Sequence, residues 1–427
     1  MTTLIATAAV SASHAATPKP QTTFQFVFGP GPAAPGYTRV APSDKYAPER
    51  GFGFEPSAAI TPADGPVQFS VRVPEGNYTV TVVLGDRFGP SETTIRAESR
   101  RLMVEKVQTA AGQMTTATFT VNVRTPVIAT GGAVHLKKRE LGPPLDLNWD
   151  DKLTLEFSGA RARFDSIRVA PAKAPVQVFL LGDSTVTDQP DEPWSAWGQM
   201  LPRFFGSEVA VANYAESGES LRTTIGARRV EKVLSVLHSG DYVFIQFGHN
   251  DQKEKGEGVG AFTTYKAALK QAVEEIRQHG GIPVLVTSMN RRRFDATGKI
   301  VNTLGDYPEA VRQDAIEEKV PLVDLNAMSK ILFDTLGPDG TLKAFVHYPA
   351  GTFPGQVTAL RDDTHFNAYG AYELAKCVVE GIRANIPALA PLLRHDTPRF
   401  APAQPDPVST WSLPTSVMRQ IAKPAGS

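Results

Sequence analysis

The pattern of apolar residues changes near residue 173, and this change constrains the fold more than any other feature of the sequence. Residues 22–172 contain many short runs in which apolar and polar residues alternate, separated by Gly, Pro and Asn. Successive residues of a strand face opposite sides of a sheet, so this pattern is typical of an antiparallel sandwich. The runs include TFQFVF, VQFSVRV, YTVTVVL, AVHLKK, KLTLEF and FDSIRV. We therefore predict an all-β, jelly-roll-like sandwich over residues 22–172.

After the linker APAKAP, apolar strands alternate with amphipathic helices. The continuous apolar run VQVFLLG indicates a parallel strand that is buried on both faces. Four further strands are predicted at VAVANYA, YVFIQFG, IPVLVTSM and VPLVDLN. Strands alternating with helices predict a flavodoxin-like, three-layer α/β/α domain with right-handed crossovers over residues 176–395. Residues 396–427 are rich in Pro and lack periodicity, so we expect an irregular or disordered tail.

Composition and charge exclude several classes of function. Lys and Arg (44) balance Asp and Glu (44), whereas a nucleic-acid-binding protein would show a basic excess. The single cysteine, Cys377, excludes an internal disulfide framework and a Cys-based zinc site, and we interpret it as a buried apolar residue. No apolar run is long enough to span a membrane. Residues 1–21 have a short apolar run before small residues, which indicates a signal segment for secretion or periplasmic export, or else a disordered tail.

Four polar clusters stand near the ends of the predicted α/β strands. In open α/β sheets, ligands bind at the carboxyl ends of the strands, so these clusters are candidates for one site. They are Gly182-Asp183-Ser184-Thr185, the loop AESGES (215–220), Gly248-His249-Asn250-Asp251, and DDTHFN (362–367) before the last helix.

The residue types in these clusters suit ester hydrolysis. This chemistry needs a nucleophile, a base that takes its proton, a group that orients the base, and donors for the developing oxyanion. Ser184 follows a strand and can present its hydroxyl, and His365 is a suitable base because imidazole titrates near neutral pH. Asp362 precedes His365 by three residues and can reach the ring. Gly218 offers an unobstructed N–H, and the Asn250 amide offers a neutral donor.

The clusters resemble, in order and context, the four blocks of the SGNH (GDSL-type) hydrolases. Within that superfamily the chain is most similar to rhamnogalacturonan acetylesterases over roughly 176–394. The matching segments are LLGDSTVTD, PWSAWGQ, NYAESGESLRT, GDYVFIQFGHND, PVLVTSMNRRRFDATGK and DDTHFNAYGAYELA. The resemblance implies a serine esterase that acts on acetylated plant cell-wall polysaccharide and requires no metal or organic cofactor. It implies Ser184, Asp362 and His365 as the catalytic triad, and Ser184, Gly218 and Asn250 as the oxyanion hole.

The resemblance bears on one catalytic residue, on the sugar preference and on the sandwich. Asp362, rather than Asp363, has the spacing to His365 that the family uses. The second block of these esterases commonly reads GGRSSRT, whereas here it is SGESLRT, with Glu219 in place of a basic residue, so the sugar preference stays open. The predicted sandwich is loosely similar to galactose-binding or carbohydrate-binding modules.

Four residues are candidate substrate contacts: Asp183, Trp194, Arg222 and Arg292. Trp194 either stacks on a sugar or packs into the core. Arg222 either meets the substrate or pairs with an acidic neighbour at the end of a helix. Arg292 either binds the carboxylates of a uronic-acid polymer or belongs to a structural salt-bridge cluster. We interpret His249 as a supporting hydrogen-bonding residue rather than a catalytic one.

Other functions are compatible with the same predicted fold. The chain could deacetylate xylan or xyloglucan, or act on lipid and short-chain esters, and the lipid version predicts an apolar groove beside Ser184. A carbohydrate-binding protein with an inactive hydrolase domain is the alternative from a different class. It predicts retention on a polysaccharide without labelling by a fluorophosphonate.

Overall fold

The computed structural model describes residues 22–28, 32–56, 65–419 and 423–424. The signal-like segment predicted over residues 1–21 lies outside these ranges, so export stays a prediction. Within the described part of the chain, no helix combines the length and apolar character needed to cross a membrane. A β-sandwich precedes an α/β domain with a parallel sheet, which confirms the predicted fold class.

The sandwich is built from ten strands in the described residues. They are β1 (Phe24–Val27), β2 (Thr38–Arg39), β3 (Phe52–Phe54), β4 (Val67–Arg72), β5 (Gly76–Gly85), β6 (Ser91–Ala97), β7 (Arg101–Thr109), β8 (Met114–Val123), β9 (Lys152–Arg161) and β10 (Phe164–Pro171). One sheet has the order β2-β1-β10-β5-β8 and the other has the order β3-β4-β9-β6-β7. All pairs are antiparallel except the short pairing of β1 with β2.

The core of the sandwich follows the period of two in the sequence. In β5, Tyr78, Val80, Val82 and Leu84 are buried, whereas the Thr and Val residues between them are partly exposed. The buried side chains pack with Phe69 and similar residues of the facing sheet. Each buried Val or Leu contributes about 1.5–3 kcal/mol relative to an exposed one, so the alternation determines which face of each strand turns inward.

The α/β domain contains a five-stranded parallel sheet. Its strands are β11 (Val176–Gly182), β12 (Val209–Asn213), β13 (Tyr242–Gln246), β14 (Ile282–Val286) and β15 (Leu322–Val323), in the order β12-β11-β13-β14-β15. Numbered within the sheet, this order is 2-1-3-4-5, the flavodoxin-like arrangement. The helices are α1 (Trp197–Met200), α2 (Leu221–Gly226), α3 (Arg229–Val236), α4 (Lys266–Gln278), α5 (Tyr307–Glu317), α6 (Leu325–Thr341) and α7 (Ala368–Asn385). A pair of antiparallel strands, β16 (Phe345–Tyr348) and β17 (Leu360–Phe366), precedes α7.

Each face of the parallel sheet has its own apolar core. Leu180 points to the side covered by α1 and α7, whereas Phe179 and Leu181 point to the side covered by α4. Cys377 of α7 is completely buried in the first of these cores, which confirms its interpretation as an apolar core residue. Because both faces are covered, the reactive groups can emerge only at the ends of the strands.

The segment between β8 and β9, residues 124–151, differs from the sequence prediction. The alternating run AVHLKK predicted a strand at 133–138, but the segment forms no strand and contains only two short 3-10 turns. Its apolar side chains leave the sandwich: Val134 and Trp149 pack into the α/β core, where the Trp149 ring lies 5.8 Å from that of Tyr214. The N–H of His135 donates to the carbonyl of Ala227 (3.0 Å). Alternation thus reflects burial against another domain rather than strand pairing.

The Pro-rich tail is irregular but packed. Residues 396–419 form no helix or strand. Trp411 lies 5.4 Å from the ring of Tyr369 and 5.5 Å from that of Tyr372, both in α7. Further along, the Ser416 hydroxyl donates to Glu156 in β9 of the sandwich (2.6 Å). The tail therefore contacts both domains.

Candidate active site

Ser184 lies in the turn that follows the central strand β11. Gly182 ends this strand, and a side chain there would place a Cβ 2.5 Å from Val186, so the tight turn requires glycine. The Asp183 carboxylate accepts hydrogen bonds from the N–H (2.9 Å) and hydroxyl (2.7 Å) of Thr185. The Gln189 amide donates to the carbonyl of Ser184 (2.6 Å). These contacts hold the serine at the carboxyl edge of the sheet, between the loops after β12 and β13.

The structure brings Ser184, His365 and Asp362 together in one hydrogen-bonded chain. His365 Nε2 lies 2.7 Å from Ser184 Oγ, and His365 Nδ1 lies 2.9 Å from Asp362 Oδ2. All three residues are buried. Because a carboxylate only accepts, Nδ1 carries the hydrogen, which leaves Nε2 free to take the serine proton.

Asp362 is held as an anion at the base of this chain. Its Oδ1 accepts from the N–H groups of Thr364 (2.9 Å) and His365 (3.0 Å), and Trp194 Nε1 lies 3.4 Å from Oδ2. Burial alone would raise the pKa of Asp362, but the hydrogen bonds and charge of His365 and the Thr364 N–H outweigh it and hold the pKa well below its usual range.

The neighbouring carboxylate, Asp363, faces away from the triad. Its side chain is half exposed and lies 3.1 Å from Arg292 Nη1 and 2.9 Å from His347 Nε2. The Arg292 guanidinium also donates to the carbonyl of Pro338 (3.0 Å). Of the two adjacent aspartates, Asp362 is therefore the one that contacts His365.

Three N–H donors lie in the loops around Ser184. In the described part of the chain, the backbone N–H groups of Ser184 and Gly218 donate no hydrogen bond. Gly218 has a φ of 78°, in the left-handed region that favours glycine. The Asn250 side chain donates one amide hydrogen to the carbonyl of Glu219 (2.9 Å), which leaves the other for a ligand, and its oxygen accepts from Lys253 (3.2 Å).

Two buried groups support the loop that carries Asn250. His249 is buried, and its Nδ1 lies 3.4 Å from Asp183 Oδ2. Burial lowers the pKa of His249. Asp251 accepts from the N–H groups of Leu221 (2.9 Å) and Gly248 (2.8 Å), and burial raises its pKa to about 7. Asp251 fixes backbone around the site, whereas His249 contacts the Asp183 side chain, and its supporting role stays a prediction.

The predicted substrate contacts divide into two groups. Asp183 and Trp194 are 0% and 2% exposed, and their side chains contact Thr185 and Asp362; their role as substrate contacts stays a prediction. The Arg222 side chain is 70% exposed and its Nε lies 3.3 Å from Glu254. Arg222 and the partly exposed Arg292 stay predictions as substrate contacts.

Sequence reasoning missed residues of the N-terminal part that contact the site. Lys137 Nζ and Arg139 Nη2 donate to the carbonyl of Ser217, the residue before Gly218. Arg100, from the turn between β6 and β7, donates to the carbonyls of Gln189 (3.1 Å) and Trp194 (2.9 Å). No local motif marks these residues, because their partners lie about 80 to 95 residues away in the sequence.

Comparison with known proteins identifies the family. Residues 180–371 match the model of the GDSL-like Lipase/Acylhydrolase family. The chain is 41% identical over 212 residues to rhamnogalacturonan acetylesterase RhgT from Bacillus subtilis (strain 168), an alignment that covers 49% of this chain and 90% of RhgT. The chain belongs to the GDSL-like lipase/acylhydrolase family. This GDSL hydrolase is therefore a carboxylic ester hydrolase.

Two further relatives come from the same bacterium. The GDSL hydrolase is 34% identical over 209 residues to the probable rhamnogalacturonan acetylesterase YesY, covering 48% of this chain and 92% of YesY. It is 26% identical over 385 residues to the uncharacterized esterase YxiM, covering 84% of this chain and 90% of YxiM. The crystal structure of YxiM aligns with a TM-score of 0.46 at 24% identity, covering 85% of this chain and 98% of that chain. The likeness of the sandwich to galactose-binding modules stays a prediction.

Proposed function

We propose that this chain is a serine carbohydrate acetylesterase that removes O-acetyl groups from rhamnogalacturonan. The hydrogen-bonded chain from Ser184 through His365 to Asp362, with distances of 2.7 and 2.9 Å, is the observation that carries the proposed chemistry. The proposed substrate rests on the similarity to RhgT and YesY, whose names describe them as rhamnogalacturonan acetylesterases.

In the acylation step, Ser184 Oγ attacks the carbonyl carbon of the acetyl ester while His365 Nε2 takes the serine proton. The carbonyl oxygen becomes an oxyanion, which accepts hydrogen bonds from the N–H groups of Ser184 and Gly218 and from the Asn250 amide. The C–O bond to the sugar then breaks, and His365 gives the proton to the departing sugar oxygen, which leaves as a hydroxyl. The acetyl group stays on Ser184.

Deacylation follows the same route with water as the nucleophile. His365 takes a proton from water, the resulting oxyanion uses the same three donors, and acetate leaves as Ser184 regains its proton. The Asp362 carboxylate stays ionised throughout, because the hydrogen bonds that lower its pKa persist. Asp362 thereby stabilises the imidazolium that forms in both steps.

Release of acetate from acetylated rhamnogalacturonan and acetylated xylan, and of nitrophenol from a long-chain nitrophenyl ester, tests this proposal. We expect release to be fastest from rhamnogalacturonan, and Ser184→Ala to lower kcat by about 10⁶-fold. Ser195→Ala is the matched control: Ser195 is buried nearby, and its hydroxyl has no partner among the described residues. Faster release from xylan or from the long-chain ester would refute the proposed substrate. No acetate release, together with no labelling of Ser184 by a fluorophosphonate, would refute the esterase mechanism.

A further inference from the structure

Two cations from the segment between the sandwich strands β8 and β9 bind the loop that carries Gly218. Lys137 Nζ donates to the carbonyl oxygen of Ser217 at 2.8 Å, and Arg139 Nη2 donates to the same oxygen at 3.0 Å. Both cations also contact buried carboxylates of this loop: Lys137 lies 2.5 Å from Glu219, and Arg139 contacts Glu216. Glu219 occupies the position where the family commonly has a basic residue. In this chain, the basic groups at this loop come from the N-terminal part.

The carbonyl of Ser217 belongs to the same peptide unit as the N–H of Gly218. In a planar trans peptide these two groups point in opposite directions, so a contact that holds the oxygen also sets the direction of the N–H. Gly218, with a φ of 78°, has more backbone freedom than any other residue type, and its peptide needs external support to keep one orientation. Lys137 and Arg139 provide that support from the side opposite the N–H.

The two contacts also make the Gly218 N–H a stronger hydrogen-bond donor. Hydrogen bonds from charged donors are stronger than neutral ones, and a hydrogen bond to a carbonyl polarises its peptide so that the N–H becomes a better donor. Preorganised donors aimed at the developing oxyanion are a major source of catalysis in ester hydrolysis. Cations behind the Ser217–Gly218 peptide should therefore act mainly on the transition state.

The backbone that carries Lys137 and Arg139 is anchored by the contacts of Glu140. Glu140, in the same segment, forms a buried ion pair with Arg229 of α3 at 2.6 Å. Glu140 also accepts from Trp149 Nε1 (3.0 Å) and from the backbone N–H of Lys137 (2.9 Å). The backbone that carries Lys137 and Arg139 is thus tied to the catalytic domain at several points.

We infer that Lys137 and Arg139 are positioning residues of the oxyanion hole, and that the N-terminal part of the chain completes the active site by orienting and polarising the Ser217–Gly218 peptide. This inference rests on the proposed role of Gly218 as an oxyanion donor. It implies that the sandwich and its connecting segment are required for turnover, beyond any part they have in holding a polysaccharide.

Steady-state kinetics of the chain of 427 residues with nitrophenyl acetate tests the inference. We expect Lys137→Met with Arg139→Met to lower kcat about 10- to 100-fold while KM changes less than about threefold, because a misaligned donor weakens the transition state more than the bound substrate. Lys138→Met is the matched control. It removes one positive charge from the same segment, but the Lys138 side chain is exposed and has no hydrogen bond or ion pair within the described ranges.

Further variants separate positioning from charge balance. Lys137→Met with Glu219→Gln removes both members of the ion pair. If Lys137 acts through the carbonyl of Ser217, the kcat of this double variant should stay low. Full recovery of kcat would show that Lys137 only neutralises Glu219 and would overturn the inference. Arg139→Lys should retain more kcat than Arg139→Met. A double variant with a lower melting temperature but the kcat of Lys138→Met would also overturn it. If wild type and Ser184→Ala hydrolyse the ester equally, the proposed function itself fails and the inference falls with it.

Discussion

Replacing Asp362 with asparagine isolates the electrostatic part of the proposed triad. In the wild-type protein, Oδ1 of the Asp362 carboxylate accepts hydrogen bonds from two backbone N–H groups. Oδ2 accepts from His365 Nδ1, and Trp194 Nε1 lies near the same oxygen. An asparagine oxygen can take the place of Oδ1 and keep the two backbone donors. Its NH₂ group must then face His365 Nδ1, which forces the ring hydrogen onto Nε2, the atom that should accept the serine proton.

The expected loss from this tautomer change is about 10⁴-fold in kcat, or about 5 kcal/mol of transition-state stabilisation. Acetate release at saturating substrate measures it, and the melting temperature shows whether the variant is folded. Asp363→Asn is the matched control, because Asp363 is half exposed and pairs with Arg292 and His347 instead of His365. We expect its kcat to stay within about threefold of wild type, since exposed ion pairs contribute little. The role of Asp362 in orienting His365 is refuted if Asp362→Asn keeps more than about a tenth of the wild-type kcat, or if Asp363→Asn loses more activity than Asp362→Asn.

Two further predictions concern the loop after β13. Asn250→Ala should lower kcat by about 10²–10³-fold with little change in KM, because it removes one oxyanion donor; near-normal turnover would exclude that role. Asp251→Asn should change how stability depends on pH. Burial raises the pKa of Asp251 to about 7, so the stability from its protonated form is complete below the unfolded pKa near 4 and is lost as pH rises through 7. Urea denaturation should show wild type losing up to about 4 kcal/mol relative to the variant between pH 4 and 8, and parallel pH profiles would contradict the prediction.

Local patterns in the sequence were enough to predict the architecture and the central catalytic candidates. Period-two alternation in strands such as β5 and continuous apolar runs such as β11 report burial on one face or on both, which is a local property of the chain. Ser184 and His365 could be predicted because reactive residues of an open α/β sheet follow the carboxyl ends of its strands. The choice of Asp362 over Asp363 came from the family's spacing, and the contacts of the two carboxylates agree with it.

Tertiary structure alone decided which partners the remaining side chains found. The sequence around Trp194 fits a sugar-stacking residue and a core residue equally well. Only the tertiary packing places its indole N–H 3.4 Å from Asp362. The run AVHLKK has the alternation of a strand, yet its apolar residues meet the α/β domain and Lys137 reaches Ser217. Alternation records that every second side chain is buried but carries no information about the surface that buries it. Contacts between residues 80 apart depend on how two domains pack, which no local pattern encodes.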